Sequence, residues 1–195
     1  MIVQNSLLKR NANVILNIST QQMNYFELFA IPVQLKVDRS SLHKKFIELS
    51  KKYHPDYFVT QADKKQAEVL EISASLNKAW KTFQNQEETI KYVLQSKGLL
   101  EEEEKYQLPS AFLMEMMEIN EQLVEAQEKS TISNLQSSIG NIQNEIYEPV
   151  KEIVEHYQEG VTSEKELLQV KEYYFKKKYL RRILDRLEGM PNIAP

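Results

Sequence analysis

Apolar residues recur along most of this chain at the three- and four-residue spacing of amphipathic helices. Leu42, Phe46, Leu49 and Tyr53 fall at i, i+4, i+7 and i+11 and form one helical face. Asp38 stands just ahead of them as an N-cap. The opposite side carries Arg39, Lys44, Lys45, Lys51 and Lys52 against a single acid, Glu48. Pro55 disfavours helical geometry at His54, so this helix should end at Tyr53 or His54. Upstream, Tyr25, Phe26, Leu28, Phe29 and Ile31 make a short aromatic-rich segment stopped by Pro32. Downstream, Thr60 and Asp63 open a second long helix with Val69, Ile72, Leu76, Ala79 and Phe83 on its apolar face and Trp80 beside it. A loop of about ten residues between the two helices predicts an antiparallel hairpin. A short helix over 89–95 follows, with Ile90, Val93 and Leu94 inward.

Gly98 and the acidic run Glu101–Glu104 break the pattern, and such a run is ordinarily solvated. Pro109 and Ser110 then open a second helical region. Phe112, Met116, Ile119, Leu123 and Ala126 form one seam, and Ile132, Leu135, Ile139, Ile142 and Ile146 form another. Pro149 should interrupt the second of these helices, because an interior proline removes a hydrogen bond. Ser163 and Glu166 make a capping box for a last helix with the seam Val170, Tyr173, Leu180, Leu184 and Leu187. The predicted fold is all-α. A leader or mis-assigned start occupies 1–22, a helical hairpin with short helices 23–97, an acidic linker 98–108 and a three-helix bundle 109–195.

Composition narrows the chemistry. Hydrophobic residues make up 42% of the 195, enough for a core, and with a net charge of only -3 this excludes wholesale disorder. Four glycines and six prolines argue against an all-β protein with many tight turns. Cysteine is absent, which excludes disulfides, thiolate zinc sites, cysteine nucleophiles and cysteine ligation of an iron–sulfur cluster by this chain. A reducing, cytoplasmic setting is expected. No apolar run approaches the roughly 20 residues that cross a bilayer, so no membrane partner is expected. The first 22 residues hold Lys9 and Arg10 and no acid; a loose extension, or a start at Met23, fits them better than a targeting leader. The net charge hides a segregation: 23–97 sum to +3, 98–160 to -11 and 161–195 to +3. Either the unlike surfaces meet two different partners or they pair within one fold, and charge alone leaves both open.

The most informative residues are His54-Pro55-Asp56, at the loop between the basic helix and its apolar partner. An acid–base dyad is one reading, yet no nucleophile, glycine-rich phosphate loop or second histidine lies nearby in sequence. The three histidines of the chain, His43, His54 and His156, make a poor metal inventory. Neither catalysis nor a metal or other cofactor is expected. With Tyr25-Phe26-Glu27-Leu28-Phe29, the helix ending in Lys51-Lys52-Tyr53, and Leu76-Asn77-Lys78-Ala79-Trp80, the tripeptide resembles a J domain. The resemblance implies a co-chaperone that stimulates the ATPase of a DnaK-class chaperone, with His54, Pro55, Asp56, Lys45, Lys51 and Lys52 as contacts. Nucleic acid is not an expected partner, since the basic face has no aromatics free for stacking and the net charge is negative.

The second half sharpens the resemblance. Residues 109–121, Pro-Ser-Ala-Phe-Leu-Met-Glu-Met-Met-Glu-Ile-Asn-Glu, are similar to the scaffold-binding helix of the HscB family, the J-type co-chaperones of iron–sulfur cluster biogenesis. Beyond the core seam this helix holds Leu113, Met114 and Met117 beside Glu118 and Glu121. The spacing alone leaves two readings open, a docking patch with adaptable Met side chains or a wide core face. The family implies the first, with Tyr179 in the last helix as a further contact. Tyr57 stands where a Lys is common after the tripeptide, and Asn120 where a basic residue is frequent. Residues 1–22 lack the cysteines of the eukaryotic zinc module, so the likeness is to the bacterial form. The implied partners are an HscA-like chaperone and an IscU-type iron–sulfur scaffold. The alternatives are a J-domain co-chaperone for another client and a helical self-association module built on the 132–146 seam, with an enzyme using His54 and Asp56 last.

Overall fold

Asn24 starts the first helix of the computed structural model, which describes residues 24–125 and 129–189. The expected leader at 1–22, Ala126 of the first bundle seam and residues 190–195 lie outside the described residues. All regular structure among the described residues is helical, and the chain divides into two units between Thr89 and Ile90.

In the first unit, α1 (Tyr25–Leu28) is capped by the Asn24 side chain, which accepts the Phe26 N–H at 2.9 Å. Helix α2 (Arg39–Lys52) begins where Asp38 accepts the N–H groups of Ser40 and Ser41, both at 3.1 Å. Those two bonds hold the Asp38 carboxyl below its ordinary value. The helix stops at Tyr53, one residue before the geometry that Pro55 imposes. A single 3-10 turn (Pro55–Phe58) leads to α3 (Asp63–Phe83). Thr60 makes no cap: Ala62 occupies the N-cap position of α3 without a side-chain bond, and Asp63 is the first helical residue.

Packing in this unit centres on two rings of α3. Phe83 receives Phe26 at 4.7 Å and Phe29 at 5.7 Å, fixing the short aromatic segment against the end of the hairpin. Trp80 stacks on Phe46 of α2 at 4.6 Å and 15°. Leu42 is fully buried, as are Val69, Leu76 and Ala79 opposite, whereas Phe46, Leu49 and Tyr53 are half-buried at the rim. Leu35, in the loop before α2, is also wholly buried.

The second unit departs from expectation at its entry. Helix α4 (Gln86–Ser96) straddles the division, so buried Ile90, Val93 and Leu94 fall in this unit rather than the first, which was expected to run to 97. Nor are residues 98–108 a free acidic linker. They contain no helix, but Leu100 is buried, Glu104 pairs with Lys171 at 2.6 Å, and Tyr106 stacks on Phe175 at 4.5 Å and 4°. Just before them, Lys97 pairs with Glu159. The hydrogen bond from Lys171 lowers the Glu104 pKa, while burial raises that of Tyr106. One glutamate of the acidic run is thus matched by Lys171, while Glu101, Glu102 and Glu103 stay exposed.

Three long helices follow: α5 (Ser110–Glu125), α6 (Lys129–Tyr147) and, after a break, α8 (Glu164–Glu188). Pro149 converts the chain to a 3-10 turn (Glu148–Val150) and a short α7 (Lys151–Glu155). The Ser163–Glu166 capping box is formed in both directions, and the bonds to Ser163 lower the Glu166 pKa. Met116, Leu123, Ile139 and Leu180 are fully buried at the centre, with Phe112, Ile119, Leu135, Ile142, Ile183 and Leu187 around them. Phe112 meets Tyr179 and Asn120 meets Arg186, so α5 and α8 run parallel with α6 returning between them.

Met116→Ala or Leu180→Ala should destabilise the bundle by about 2–5 kcal/mol through the cavity left behind. Met114→Ala, at an exposed position of the same helix, should stay within about 0.5 kcal/mol. Urea unfolding followed by circular dichroism reads the contrast; equal losses would mean that Met114 belongs to the core.

Candidate functional site

Two surfaces, one in each unit, carry the residues singled out by the sequence. In the first unit, His54 has the extended backbone that a residue before proline adopts, at φ -72° and ψ 124°, and it caps the 3-10 turn through its ring. Its Nδ1 accepts the Asp56 N–H at 3.3 Å, and its carbonyl accepts the Tyr57 N–H at 3.1 Å. With Nδ1 serving as acceptor, the neutral imidazole carries its proton on Nε2. The Asp56 carboxylate lies 3.6 Å from Nδ1. Both side chains face solvent, His54 at 51% and Asp56 at 83% exposure. Three successive residues thus present an imidazole, a pyrrolidine ring and a carboxylate on one tight turn. That arrangement is suited to recognition by another surface.

The basic contacts separate into two groups. Lys51 and Lys52 are exposed in the last turn of α2, with the Lys52 ammonium 5.1 Å from the Tyr53 ring centre. Lys45 is engaged inside the fold: its Nζ donates to the Phe29 carbonyl at 3.2 Å and the Ala30 carbonyl at 2.8 Å. Ala30 has a positive φ of 50°, so the lysine ties down a strained turn at the end of α1. Tyr57 and Val59, beside the tripeptide, are the most exposed large apolar side chains of this unit, at 71% and 68%. The Tyr57 ring lies 5.6 Å from that of His54.

One residue that the sequence did not reveal holds this loop in shape. Gln66, in the first turn of α3, donates through Nε2 to the carbonyls of Val59 at 3.2 Å and Gln61 at 2.8 Å. Nothing in periodicity distinguishes it from any other polar residue on a helix.

In the second unit, Phe112, Met116, Ile119 and Leu123 satisfy the core, and the remaining apolar residues of α5 stay outside it. Met114 and Met117 are 63% and 59% exposed, and Leu113 is half-buried. The wide-core alternative is thereby ruled out for the two methionines. Glu118 and Glu121 are exposed next to them. Tyr179 is half-buried, its ring edge-on to Phe112 at 6.1 Å and packed against the core. Ile183, its neighbour one turn on, is core. Val124, 72% exposed, was not identified from the sequence, although it falls seven residues after Met117 and shares its side of the helix. Among the described residues no group of three His, Asp or Glu is placed to hold a metal ion, and no helix is long and apolar enough to cross a membrane.

Residues 108–188 match the family described as the HSCB C-terminal oligomerisation domain. Among individual proteins, the chain is 29% identical to the co-chaperone protein HscB of Proteus mirabilis over 114 residues, 58% of this chain and 66% of that one. It is 36% identical to the co-chaperone protein HscB homolog of Vibrio cholerae over 102 residues, 52% of this chain and 60% of the relative. The matched part thus spans less than two thirds of these relatives. Among solved structures, human co-chaperone HscB superposes with a TM-score of 0.72 at 24% identity, covering 87% of this chain and 83% of that one. The chaperone HscB from Vibrio cholerae superposes at 0.66 and 24% identity, covering 85% and 96%. The resemblance read from the sequence is upheld: the fold is that of HscB, a J-type hairpin unit and a helical C-terminal domain.

Gln66→Leu should speed amide exchange over residues 57–62 without altering exchange in the core of α3, as hydrogen–deuterium exchange would reveal. Lys45→Ala should cost about 1–2 kcal/mol of stability in the first unit, measured by denaturant unfolding. An unchanged stability would mean that the two bonds of Lys45 contribute nothing to the fold.

Proposed function

We propose that this chain, which has the fold of HscB and carries the HscB C-terminal domain, is a co-chaperone of iron–sulfur cluster assembly. It stimulates ATP hydrolysis by a DnaK-class, HscA-like chaperone and delivers an IscU-type scaffold protein to it, supporting cluster transfer in the cytoplasm. The observation that carries this reading is the pairing, on one chain, of an exposed and internally braced His54-Pro55-Asp56 turn with an exposed methionine face on α5.

The chemistry of each surface fits its role. Lys51 and Lys52 attract an acidic surface on the chaperone over distances of about a Debye length. Pro55, the His54 cap and the Gln66 brace leave the turn little freedom to lose on docking. Contact through the turn changes the chaperone's own active site; no bond is made or broken by this chain. On the bundle, Leu113, Met114 and Met117 supply an apolar centre of flexible side chains, with Glu118, Glu121 and Tyr179 at its rim. Because the chain has no cysteine, the cluster stays on the scaffold as cargo. A second reading draws on the description of the C-terminal family as an oligomerisation domain: the bundle would then also join like chains. Sedimentation over a range of concentrations separates the two, since a concentration-independent monomer removes self-association.

Steady-state ATP turnover by the cognate chaperone should rise on addition of this protein and rise further with the scaffold. His54→Gln should abolish the rise while leaving scaffold binding intact; retained stimulation would remove the turn from the mechanism. Replacing Leu113, Met114 and Met117 together by Ala should weaken scaffold binding about tenfold or more, as expected for central contacts of an interface. Stimulation without scaffold should be unchanged in that variant.

A further inference from the structure

Asn120 sits on the same side of α5 as Leu113, Met117 and Val124, which are spaced four, three and four residues apart along one stripe. Its Nδ2 donates to the Met116 carbonyl at 2.8 Å, and its Oδ1 accepts from the Arg186 Nη1 on α8 at 2.7 Å. The neutral amide thereby fixes a guanidinium at the border of the apolar stripe. Arg182, one turn earlier on α8, is exposed, and Tyr179, Arg182 and Arg186 share a side of that helix at spacings of three and four. On the far side of the stripe, a turn of ~100° per residue places Glu118, Glu121 and Glu125, all exposed. The face therefore has a basic border, an apolar centre and an acidic border in that order.

We propose that the scaffold-docking face of the bundle extends along α5 to Val124 and takes its basic border from α8. Arg186, positioned by Asn120, would receive a carboxylate on the scaffold, with Arg182 adding to the same field. This rests on the docking reading of Met114 and Met117 given above. The occupant that fits is an apolar surface carrying an acidic group on one edge and a basic group on the other. The charge order admits such a surface in one orientation and opposes the reverse. A guanidinium with one of its five N–H donors spent on Asn120 keeps the others for the partner.

The test is calorimetric titration of the full-length protein with an IscU-type scaffold at two salt concentrations. Arg186→Gln and Val124→Ala should each weaken binding about fivefold, in the range of a bordering charge or a peripheral apolar contact. Arg186→Gln should also flatten the salt dependence, and Arg186→Lys should restore that dependence with only part of the affinity. Thermal melting and scaffold-free stimulation of the chaperone should match wild type in all three. Wild-type affinity and salt dependence in Arg186→Gln and Val124→Ala, beside lost binding in the Leu113, Met114, Met117 triple variant, would overturn the extension and leave the docking reading standing. Unaltered binding in the triple variant as well would overturn both.

Discussion

Phe112, Met116, Ile119 and Leu123 anchor one side of α5 in the bundle core, and the turn of the helix then decides what every other residue on it meets. Leu113, Met117, Asn120 and Val124 are carried to one flank, where Arg186 of α8 meets Asn120. The glutamates are carried further round, into solvent. The composition of the outer face thus follows from the burial of the inner one. A bundle only three helices deep cannot enclose α5 on all sides, so apolar residues beyond the inner seam remain at the surface.

The first unit solves the opposite problem. Its His54-Pro55-Asp56 turn is short and polar, and such turns are usually loose. Here three independent restraints act within a dozen residues: the ring of Pro55, the Nδ1 cap of His54 and the two carbonyls held by Gln66. Behind them the Phe46–Trp80 stack keeps α2 and α3 in register. The imidazole of His54 and the carboxylate of Asp56 are thereby displayed on a frame held by its own contacts.

Periodicity made the helices legible, since amphipathic stripes of the kind in α2, α3, α5 and α8 are unambiguous over three or more turns. Caps at Asp38 and Ser163 were legible for the same reason: their chemistry is local. What was not legible depended on residues far apart in the chain. Lys45 reads as one more surface lysine until its distance to the Phe29 and Ala30 carbonyls is known. The last residue of the acidic run reads as solvated like the other three until Lys171 is found beside Glu104. Gln66 and the Asn120–Arg186 bond belong to the same class. Val124 differs, because its exposure follows from the helical turn alone, and the signal was there in the spacing from Met117.

The clamped entry to the bundle has a mechanical meaning. Residues 98–108 are fastened to α8 by the Tyr106–Phe175 stack and the Glu104–Lys171 pair before the chain reaches α5. A pull applied to the chain at Leu100 would meet those two contacts, both in the amino-terminal half of α8, before it met Ser110. The start of α5 is in this way relieved of being the first attachment of this segment to the bundle.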